Sequence, residues 1–246
     1  MTLDLSTMST KIFADGADLE GLMHLAEQPH IKGFTTNPTL MRKAGVSDYA
    51  GFAREVLSHI TDRPISFEVF SDDADGMRRQ AREIASWGPN VYVKVPVTNT
   101  HAEPMTALIK ELSEDGVQLN VTALMTVRQV EEVAGALGDG APSNISVFAG
   151  RIADTGRDPV PLMQEALAAM AGAPRAELIW ASPREVLNII QAEAIGCHII
   201  TVTHDLLGKL HLLGKDLDEY SLDTVKMVHG DAASAGFTLE AAEVRG

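Results

Sequence analysis

The sequence predicts an α/β protein, a single (β/α)8 TIM barrel with additional C-terminal helices. Eight short β-like runs occur along the 246 residues, and they begin 22 to 32 residues apart. Helical patterns separate the runs, and strands that alternate with helices form parallel sheets that can close into a barrel. No Gly-rich phosphate fingerprint follows the first run, so an open doubly wound sheet is the weaker alternative.

The eight runs are short and rich in residues that favour strands. They are "KIFADG" (11–16), "GFTTNP" (33–38), "ISFEVF" (65–70), "VYVKVPV" (91–97), "QLNVTAL" (118–124), "NISVFAG" (144–150), "AELIWAS" (176–182) and "HIITVTH" (198–204). Segments such as "SDYAGFAREVLSHI" between them have helical spacing, and Ser47 is the predicted N-cap of that helix. We predict one barrel domain over 1–246, with about 205–246 as a C-terminal helical extension.

The composition narrows the class of protein. Apolar residues make up 45% of the chain, enough for a sizeable core, and the formal net charge is −14. Acidic residues are spread along the whole chain, which argues against nucleic acid and anionic membranes as partners. There is no apolar stretch of about 18 residues and no signal-peptide pattern. The one cysteine, Cys197, excludes an internal disulfide, and a cytoplasmic location is the simplest expectation.

Strand periodicity places Lys94 inside the barrel. In "VYVKVPV" the four valines share one face, which suits the helix layer, and Lys94 lies on the other face. Five further runs carry polar residues on the face that we assign to the barrel interior. The residues on that face are Asp15 with Phe13, Thr35 with Asn37, Glu68 with Ser66 and Phe70, Gln118 with Asn120 and Thr122, and Asn144 with Ser146 and Phe148.

Two interpretations of this polar set compete. Any single Asn or Thr is more often a satisfied polar residue that fills the barrel. Strands covered on both faces are usually almost entirely apolar. A whole set in phase, which includes a lysine, a glutamate and an aspartate near the strand ends, therefore favours an active site.

Lys94 itself has three candidate roles. It can form an ion pair with Glu68 or Asp15, hold a phosphate as a point charge, or act as a nucleophile that forms a Schiff base. Apolar strand neighbours favour the neutral, nucleophilic amine, and the nearby acidic residues can move protons. Arg151 and Arg184 follow adjacent runs and suggest a bound phosphate or similar dianion, although a surface salt bridge is the commoner role for either one alone.

Five of these motifs resemble one known family. "GFTTNPTL", "VYVKVPV", "LNVTAL", "ISVFAGRI" and "WASPREV" are similar, in order, to motifs of the transaldolases and the fructose-6-phosphate aldolases. The resemblance covers about residues 11 to 205. It implies a (β/α)8 barrel with class I aldol chemistry, no metal and no cofactor, and phosphorylated sugars as substrates. It also implies a place in the pentose phosphate pathway and a homo-oligomer, either a ring-built decamer or a dimer.

The resemblance also implies a role for each matching residue. Lys94 matches the Schiff-base lysine, and Asp15 matches the aspartate that moves the proton of the sugar hydroxyl. Glu68 matches a glutamate that works through a water held with the threonine at Thr122. The residues that match the dihydroxyacetone site are Asn37, Asn120 and Ser146, and those that match the phosphate site are Arg151, Ser182 and Arg184.

Two positions favour transfer over free cleavage. Transaldolases resemble one another in having Glu at the position of Glu68 and Phe at that of Phe148, where the aldolases tend to have Gln and Tyr. We therefore expect a transaldolase, with an aldolase that releases free dihydroxyacetone as one alternative and a non-catalytic sugar-phosphate-binding barrel as another. Pro183, His204 and Asp205 depart from the family pattern, which leaves the sugar, and phosphate against sulfonate, open.

Overall fold

The structure, a computed structural model that describes residues 5–239, contains a closed barrel of eight parallel strands. The strands follow one another around the barrel in chain order, and the eighth pairs with the first. The strands are β1 (Lys11–Asp15), β2 (Ile31–Thr35), β3 (Ile65–Glu68), β4 (Val91–Pro96), β5 (Leu119–Leu124), β6 (Ser143–Val147), β7 (Ala176–Trp180) and β8 (Ile199–Thr203). The predicted (β/α)8 TIM barrel is confirmed.

Helices connect successive strands, and the last two α-helices of the described residues follow β8. The helices are α1 (Leu19–Ala26), α2 (Pro38–Lys43), α3 (Tyr49–His59), α4 (Ala74–Ala85), α5 (Thr106–Glu114), α6 (Val127–Leu137), α7 (Ala149–Asp154), α8 (Pro159–Ala169), α9 (Leu187–Ala194), α10 (His204–Leu207) and α11 (Leu217–Ser234). Helix α4 shows why the connecting helices pack on the barrel. Met77, Ala81 and Ile84 are buried at helical spacing, while the rest of the helix is largely charged.

The main core lies between the strands and the helices. On β4, Val91, Val93 and Val95 are buried in this layer, as the valine face predicted. Burial of a valine side chain stabilises the fold by roughly 1.5–3 kcal/mol. Because the apolar faces are turned outward to the helices, the interior faces are left to carry the polar residues.

Several predicted boundaries need correction. The second strand covers Ile31–Thr35, earlier than the predicted run 33–38, because Pro38 has no N–H for a ladder and begins α2. The sixth run also ends early, since Ala149 already belongs to α7. The N-cap of α3 is Asp48 and not Ser47. The Asp48 side chain accepts a hydrogen bond from the Gly51 N–H, at 2.9 Å.

Strand register aligns the interior side chains. Glu68 pairs with Lys94 and Lys94 with Asn120, so three neighbouring strands place polar residues at one level of the barrel. The register between β5 and β6 shifts between Val121 and Leu124, where Ala123 has a positive φ of 68°. A bulge of this kind changes the direction of the adjacent side chains, here close to the C-terminal end of β5.

Residues 211–239 belong to a second compact unit, and residues 5–210 belong to the barrel unit. The second unit contains α11, whose N-cap Asp216 accepts bonds from the N–H groups of Asp218 and Glu219. The exposed apolar side chains of this helix are Leu217, Leu222, Val225, Met227 and Val228. Residues 240–246 of the predicted C-terminal extension lie outside the described residues. The single-domain assignment and the subunit count stay predictions.

Two smaller expectations concern the chain as a whole. Cys197 is buried and free, and burial raises the pKa of its thiol to about 12, as suits a small apolar core residue. Among residues 5–239, no helix combines the length and the apolar character needed to cross a membrane.

Candidate active site

A cavity of about 550 Å³ opens at the C-terminal ends of the barrel strands. All eleven site residues predicted from the sequence line it: Asp15, Asn37, Glu68, Lys94, Asn120, Thr122, Ser146, Phe148, Arg151, Ser182 and Arg184. They come from seven strands or strand ends that are far apart in the chain. The barrel therefore brings the predicted residues together, at the end where (β/α)8 enzymes carry their active sites.

Lys94 lies deep in this cavity, with only 8% of its surface exposed. Its ammonium donates a 2.9 Å hydrogen bond to the Thr36 carbonyl and lies 3.4 Å from the Glu68 carboxylate. An ion pair with Glu68, one of the three candidate roles of Lys94, is therefore present, but it is long and both residues line the cavity. A lysine that is held at its tip and still faces the cavity can be reached by a substrate carbonyl.

Asp15 ends β1 on another side of the cavity. Its carboxylate accepts a 2.8 Å hydrogen bond from the Thr35 hydroxyl. Burial raises the pKa of Asp15 above its ordinary value, and Lys94, the Thr35 bond and His204 oppose that rise. A carboxylate with a raised pKa accepts a proton more readily, which is the property a general base requires.

A buried hydrogen-bond network fixes the amide of Asn120. The Ser146 hydroxyl donates to Asn120 Oδ1 at 2.7 Å, and Asn120 Nδ2 donates to the Ser66 hydroxyl at 3.0 Å. All three residues are buried. Since the amide is held at both ends, its remaining donor and acceptor positions have a defined direction toward a ligand.

The hydroxyl of Thr122 is buried and has no hydrogen-bond partner among the described residues. An unsatisfied buried hydroxyl carries a desolvation penalty of about 1–3 kcal/mol. Its neighbour Ala123 has the positive φ of the β5 bulge, so the backbone here is unusual as well. Such a group is free to bond a substrate oxygen or a water.

Asn37 has a local structural role besides facing the cavity. As N-cap of α2, its Oδ1 accepts a 2.9 Å hydrogen bond from the Leu40 N–H. The carbonyl end of the side chain is thus engaged, and its NH₂ group is the end that can reach a ligand.

The basic corner of the cavity lies after β6 and β7. Gly150 allows these two segments to approach, because a Cβ there would lie 1.5 Å from the Ser182 carbonyl oxygen. Ser182 itself has a positive φ of 57°. Arg184 Nε donates to Asp154 Oδ1 at 3.0 Å, and the Arg151 guanidinium lies 5.6 Å from the centre of the Phe148 ring. Two guanidinium groups here suit a dianion.

The structure adds cavity residues that the sequence reading missed. Thr201 and Thr203 come from β8, which showed no clean alternation, although their spacing of two residues is a strand signal. The Thr201 hydroxyl lies 3.1 Å from that of Thr35. Lys43, from the last turn of α2, also lines the cavity, and no sequence pattern distinguished it from a surface lysine.

His204 is not among the residues that line this cavity. It begins α10, and its ring lies against the backbone of Gly16 and Gly21. Its Nε2 is buried without a hydrogen-bond partner among the described residues, while Asp205 beside it is exposed. Within residues 5–239, no group of three or more His, Cys, Asp or Glu residues is arranged to hold a metal ion.

Comparison with known proteins identifies the family. The sequence profile described as Transaldolase/Fructose-6-phosphate aldolase matches residues 12–244. The chain belongs to this family. The resemblance found in the five motifs is therefore confirmed, and it extends beyond β8 into the C-terminal region. The family comprises transaldolases and aldolases, so the chain is an enzyme of the transaldolase/aldolase family.

Individual relatives agree with the assignment. A protein named "Probable transaldolase" from Dehalococcoides mccartyi is 35% identical over 201 residues, which are 81% of this chain and 89% of the relative. Another of that name from Methanococcus maripaludis strain C5 is 36% identical with the same coverage. A solved structure, KGPDC from Streptococcus mutans, is similar with a TM-score of 0.56 at 11% identity, covering 80% of this chain and 88% of that chain. This last likeness concerns the barrel fold alone.

Proposed function

We propose that the protein is a transaldolase that moves a dihydroxyacetone unit from a ketose phosphate to an aldose phosphate through a Schiff base at Lys94. The observation that carries the proposal is the setting of Lys94. It is buried at the base of the cavity, 3.4 Å from Glu68, and it interacts electrostatically with Asp15. A buried lysine that lines one cavity together with two carboxyl groups suits covalent catalysis better than phosphate binding.

The first half of the reaction builds the Schiff base. The Lys94 ammonium first gives a proton to the Glu68 carboxylate, and the Nζ lone pair then attacks the keto carbon. The proton that Nζ loses as the C–N bond forms moves to the carbonyl oxygen, which gives a carbinolamine. Glu68 then delivers a proton to the departing hydroxyl, which leaves as water and creates the C=N bond. The hydroxyl of Thr122, which has no hydrogen-bond partner within residues 5–239, is suited to hold that water.

The second half breaks the sugar. Asp15 accepts the proton of the C4 hydroxyl, the C3–C4 bond breaks, and its electron pair moves to the Schiff-base nitrogen as an enamine forms. The aldehyde half leaves, and the reverse steps join the enamine to an acceptor aldehyde. The raised pKa of Asp15 supports this role, since the group must both take up and return a proton.

The remaining residues bind and orient the substrate. Asn37, Asn120 and Ser146 are proposed to bond the hydroxyl groups of the dihydroxyacetone part. Arg151, Ser182 and Arg184 are proposed to hold the phosphate. Arg184 is already oriented by its pairing with Asp154, which raises the pKa of Arg184 and lowers that of Asp154. A pre-oriented guanidinium loses less freedom when it binds the anion.

Two residues favour transfer over free cleavage. Release of dihydroxyacetone requires a proton on the enamine carbon, and Phe148 has no hydroxyl to deliver one. Glu68 remains able to move protons for Schiff-base formation. The alternatives are an aldolase that releases dihydroxyacetone and a barrel that binds sugar phosphates without reaction.

Covalent trapping tests the proposal directly. Incubation with fructose 6-phosphate and borohydride should add a reduced three-carbon unit to Lys94, located by peptide mass analysis. Lys43→Met, which removes the other lysine of the cavity, should keep the adduct, and Lys94→Met should abolish it. An adduct on another lysine, or none at all, would contradict the mechanism.

A further inference from the structure

Tyr49 connects the helix layer to the active site. It is the first residue of α3, and its ring packs edge-on against Phe67 and Phe70, with centroids 6.4 and 5.6 Å away. Trp87 lies against the ring as well, at 6.0 Å. The ring is therefore held by packing, and its hydroxyl points to the C-terminal end of β3, where Glu68 lies.

The ladder between β2 and β3 stops just before Glu68. The Phe34 N–H donates to the Pro64 carbonyl at 2.8 Å, and the Thr36 N–H donates to the Ser66 carbonyl at 3.1 Å. Alternate residues of β3 face β2, so the next residue in this series is Glu68. A continued ladder would join the Glu68 N–H to the Thr36 carbonyl, and the N–H of residue 38 to the Glu68 carbonyl.

Neither of these two bonds forms. Residue 38 is Pro38, which has no N–H and begins α2. The Thr36 carbonyl is occupied in another way, because it accepts the ammonium of Lys94 at 2.9 Å. Both backbone groups of Glu68 on this side would therefore be unpaired, close to the cavity.

The Tyr49 hydroxyl supplies both missing partners. It accepts a hydrogen bond from the Glu68 N–H at 2.7 Å and donates one to the Glu68 carbonyl at 2.8 Å. A single phenol oxygen thus does what the next residue of β2 would do in a continued sheet. As long as Glu68 bonds Tyr49, its N–H does not compete with Lys94 for the Thr36 carbonyl.

We propose that Tyr49 is a positioning residue for the reaction, which holds Glu68 in place and leaves the Thr36 carbonyl free to orient Lys94. This inference rests on the proposed function for its effect on turnover, but its structural part stands without it. Burial raises the pKa of the Tyr49 phenol well above its usual range. The hydrogen bond with the Glu68 backbone opposes that rise and the charge of Glu68 adds to it, so the hydroxyl keeps the proton that it donates.

Tyr49→Phe removes the one oxygen and keeps the ring in its aromatic surroundings. We expect kcat for transfer to fall about fivefold to fiftyfold, the effect of leaving a buried donor and acceptor unpaired beside reacting groups, with KM within about twofold. The rate at which dihydroxyacetone and borohydride modify Lys94 should fall by a similar factor. Tyr92→Phe is the matched control. Tyr92 lies on β4 near Lys94 in sequence, but it lines a separate cavity with Lys11 and Glu177.

The control separates positioning from general stability. Equal losses in Tyr49→Phe and Tyr92→Phe, or a Tyr49→Phe enzyme with unchanged kcat and unchanged modification of Lys94, would overturn the proposal. An absence of sugar turnover in the wild type would instead count against the proposed function, since modification of Lys94 is measured without turnover.

A measurement on the wild-type protein covers the case in which Tyr49→Phe does not fold. The bond to Tyr49 should protect the Glu68 amide from hydrogen exchange, and NMR of the ¹⁵N-labelled protein reads that amide individually. Exchange of the Glu68 amide as fast as that of an unpaired loop amide would overturn the proposal.

Discussion

The hydroxyl of Thr35 donates a 2.8 Å hydrogen bond to the carboxylate of Asp15. The two residues are register partners on β2 and β1, so the barrel places them side by side. This bond favours the ionised carboxylate, whereas burial favours the neutral acid and is the larger effect. Burial in the barrel therefore raises the pKa of Asp15, and the Thr35 hydroxyl limits that rise.

Thr35→Val should move the acid side of the pH–rate profile to higher pH. Asp15 must be ionised to accept the C4 hydroxyl proton, so activity falls as pH drops through its pKa. The Thr35 hydrogen bond lowers the pKa of Asp15, so its loss should raise that pKa further. The measurement is kcat against pH. Thr201→Val, which removes the other contact of the Thr35 hydroxyl, is the control, and a profile that moves no more in Thr35→Val than in this control would contradict the expectation.

Asp15→Asn should abolish the reaction and stabilise the fold at neutral pH. Because the pKa of Asp15 is higher in the folded than in the unfolded state, this carboxyl makes a stabilising contribution to the free energy of unfolding. That contribution is fully present below the unfolded-state pKa and is lost as pH rises through the folded-state pKa. Asparagine removes that loss and can still accept the Thr35 bond. We expect Tm at pH 7 to rise by about 2–4 °C, as for about 1 kcal/mol in a protein of this size.

The gain from Asp15→Asn should shrink as pH is lowered, because a buried carboxyl with a raised pKa takes up its proton at a higher pH than an ordinary aspartate does. Asp72→Asn is a control of opposite sign, because hydrogen bonds from Thr100 lower the pKa of Asp72. That variant should not gain stability at pH 7. A pH-independent gain in Asp15→Asn would show that the charge is not its cause.

Arg151→Ala and Arg184→Ala should weaken the use of phosphorylated substrates far more than that of unphosphorylated ones. A hydrogen bond to a charged group contributes roughly 1.5–3 kcal/mol, so each loss should reduce kcat/KM about tenfold to a hundredfold. Arg157→Ala is the control, since Arg157 is exposed and its guanidinium donates a hydrogen bond to the nearby Thr155 hydroxyl. Thermal melts should accompany the kinetics. Equal losses of kcat/KM with dihydroxyacetone and with phosphorylated substrates would indicate that the two arginines have a structural role.

Phe148→Tyr should shift the reaction from transfer toward cleavage. A tyrosine hydroxyl at this position can deliver the proton that releases dihydroxyacetone from the enamine. The wild type should form little free dihydroxyacetone from fructose 6-phosphate alone and should produce sedoheptulose 7-phosphate rapidly once erythrose 4-phosphate is added. If Phe148 only fills the barrel, the substitution changes Tm and leaves the ratio of transfer to cleavage alone.

Gly21→Ala should destabilise the protein because of His204. A Cβ at Gly21 would lie 2.4 Å from His204 Cε1, inside any normal contact distance. Gly135→Ala, in α6 with open space around it, is the control and should stabilise by up to about 1 kcal/mol, the usual helix preference for alanine. Gly21→Ala combined with His204→Ala should recover most of the loss in Tm, and independent effects of the two substitutions would contradict the contact.

The sequence by itself determined the class of fold and most of the polar residues in the barrel, though not Thr201 and Thr203 of β8. Alternation along β4 separated the valine face from Lys94, and the same period applied to β5 and β6 identified Asn120, Thr122 and Ser146. This worked because strand geometry is local, so successive side chains must point to opposite faces. Motif resemblance supplied what periodicity lacked, namely the role that we expect each of these residues to have.

Only the tertiary structure decided the contacts between residues far apart in the chain. Local spacing in the sequence does not predict the hydrogen bond between Tyr49 and Glu68 or the one from Lys94 to the Thr36 carbonyl. It does not predict the packing of His204 against Gly21 either. These contacts depend on where a helix enters beside a strand that has ended, and on strand register around a closed barrel. They follow from the packing of the whole chain, because no single segment of the sequence contains both residues of a contact.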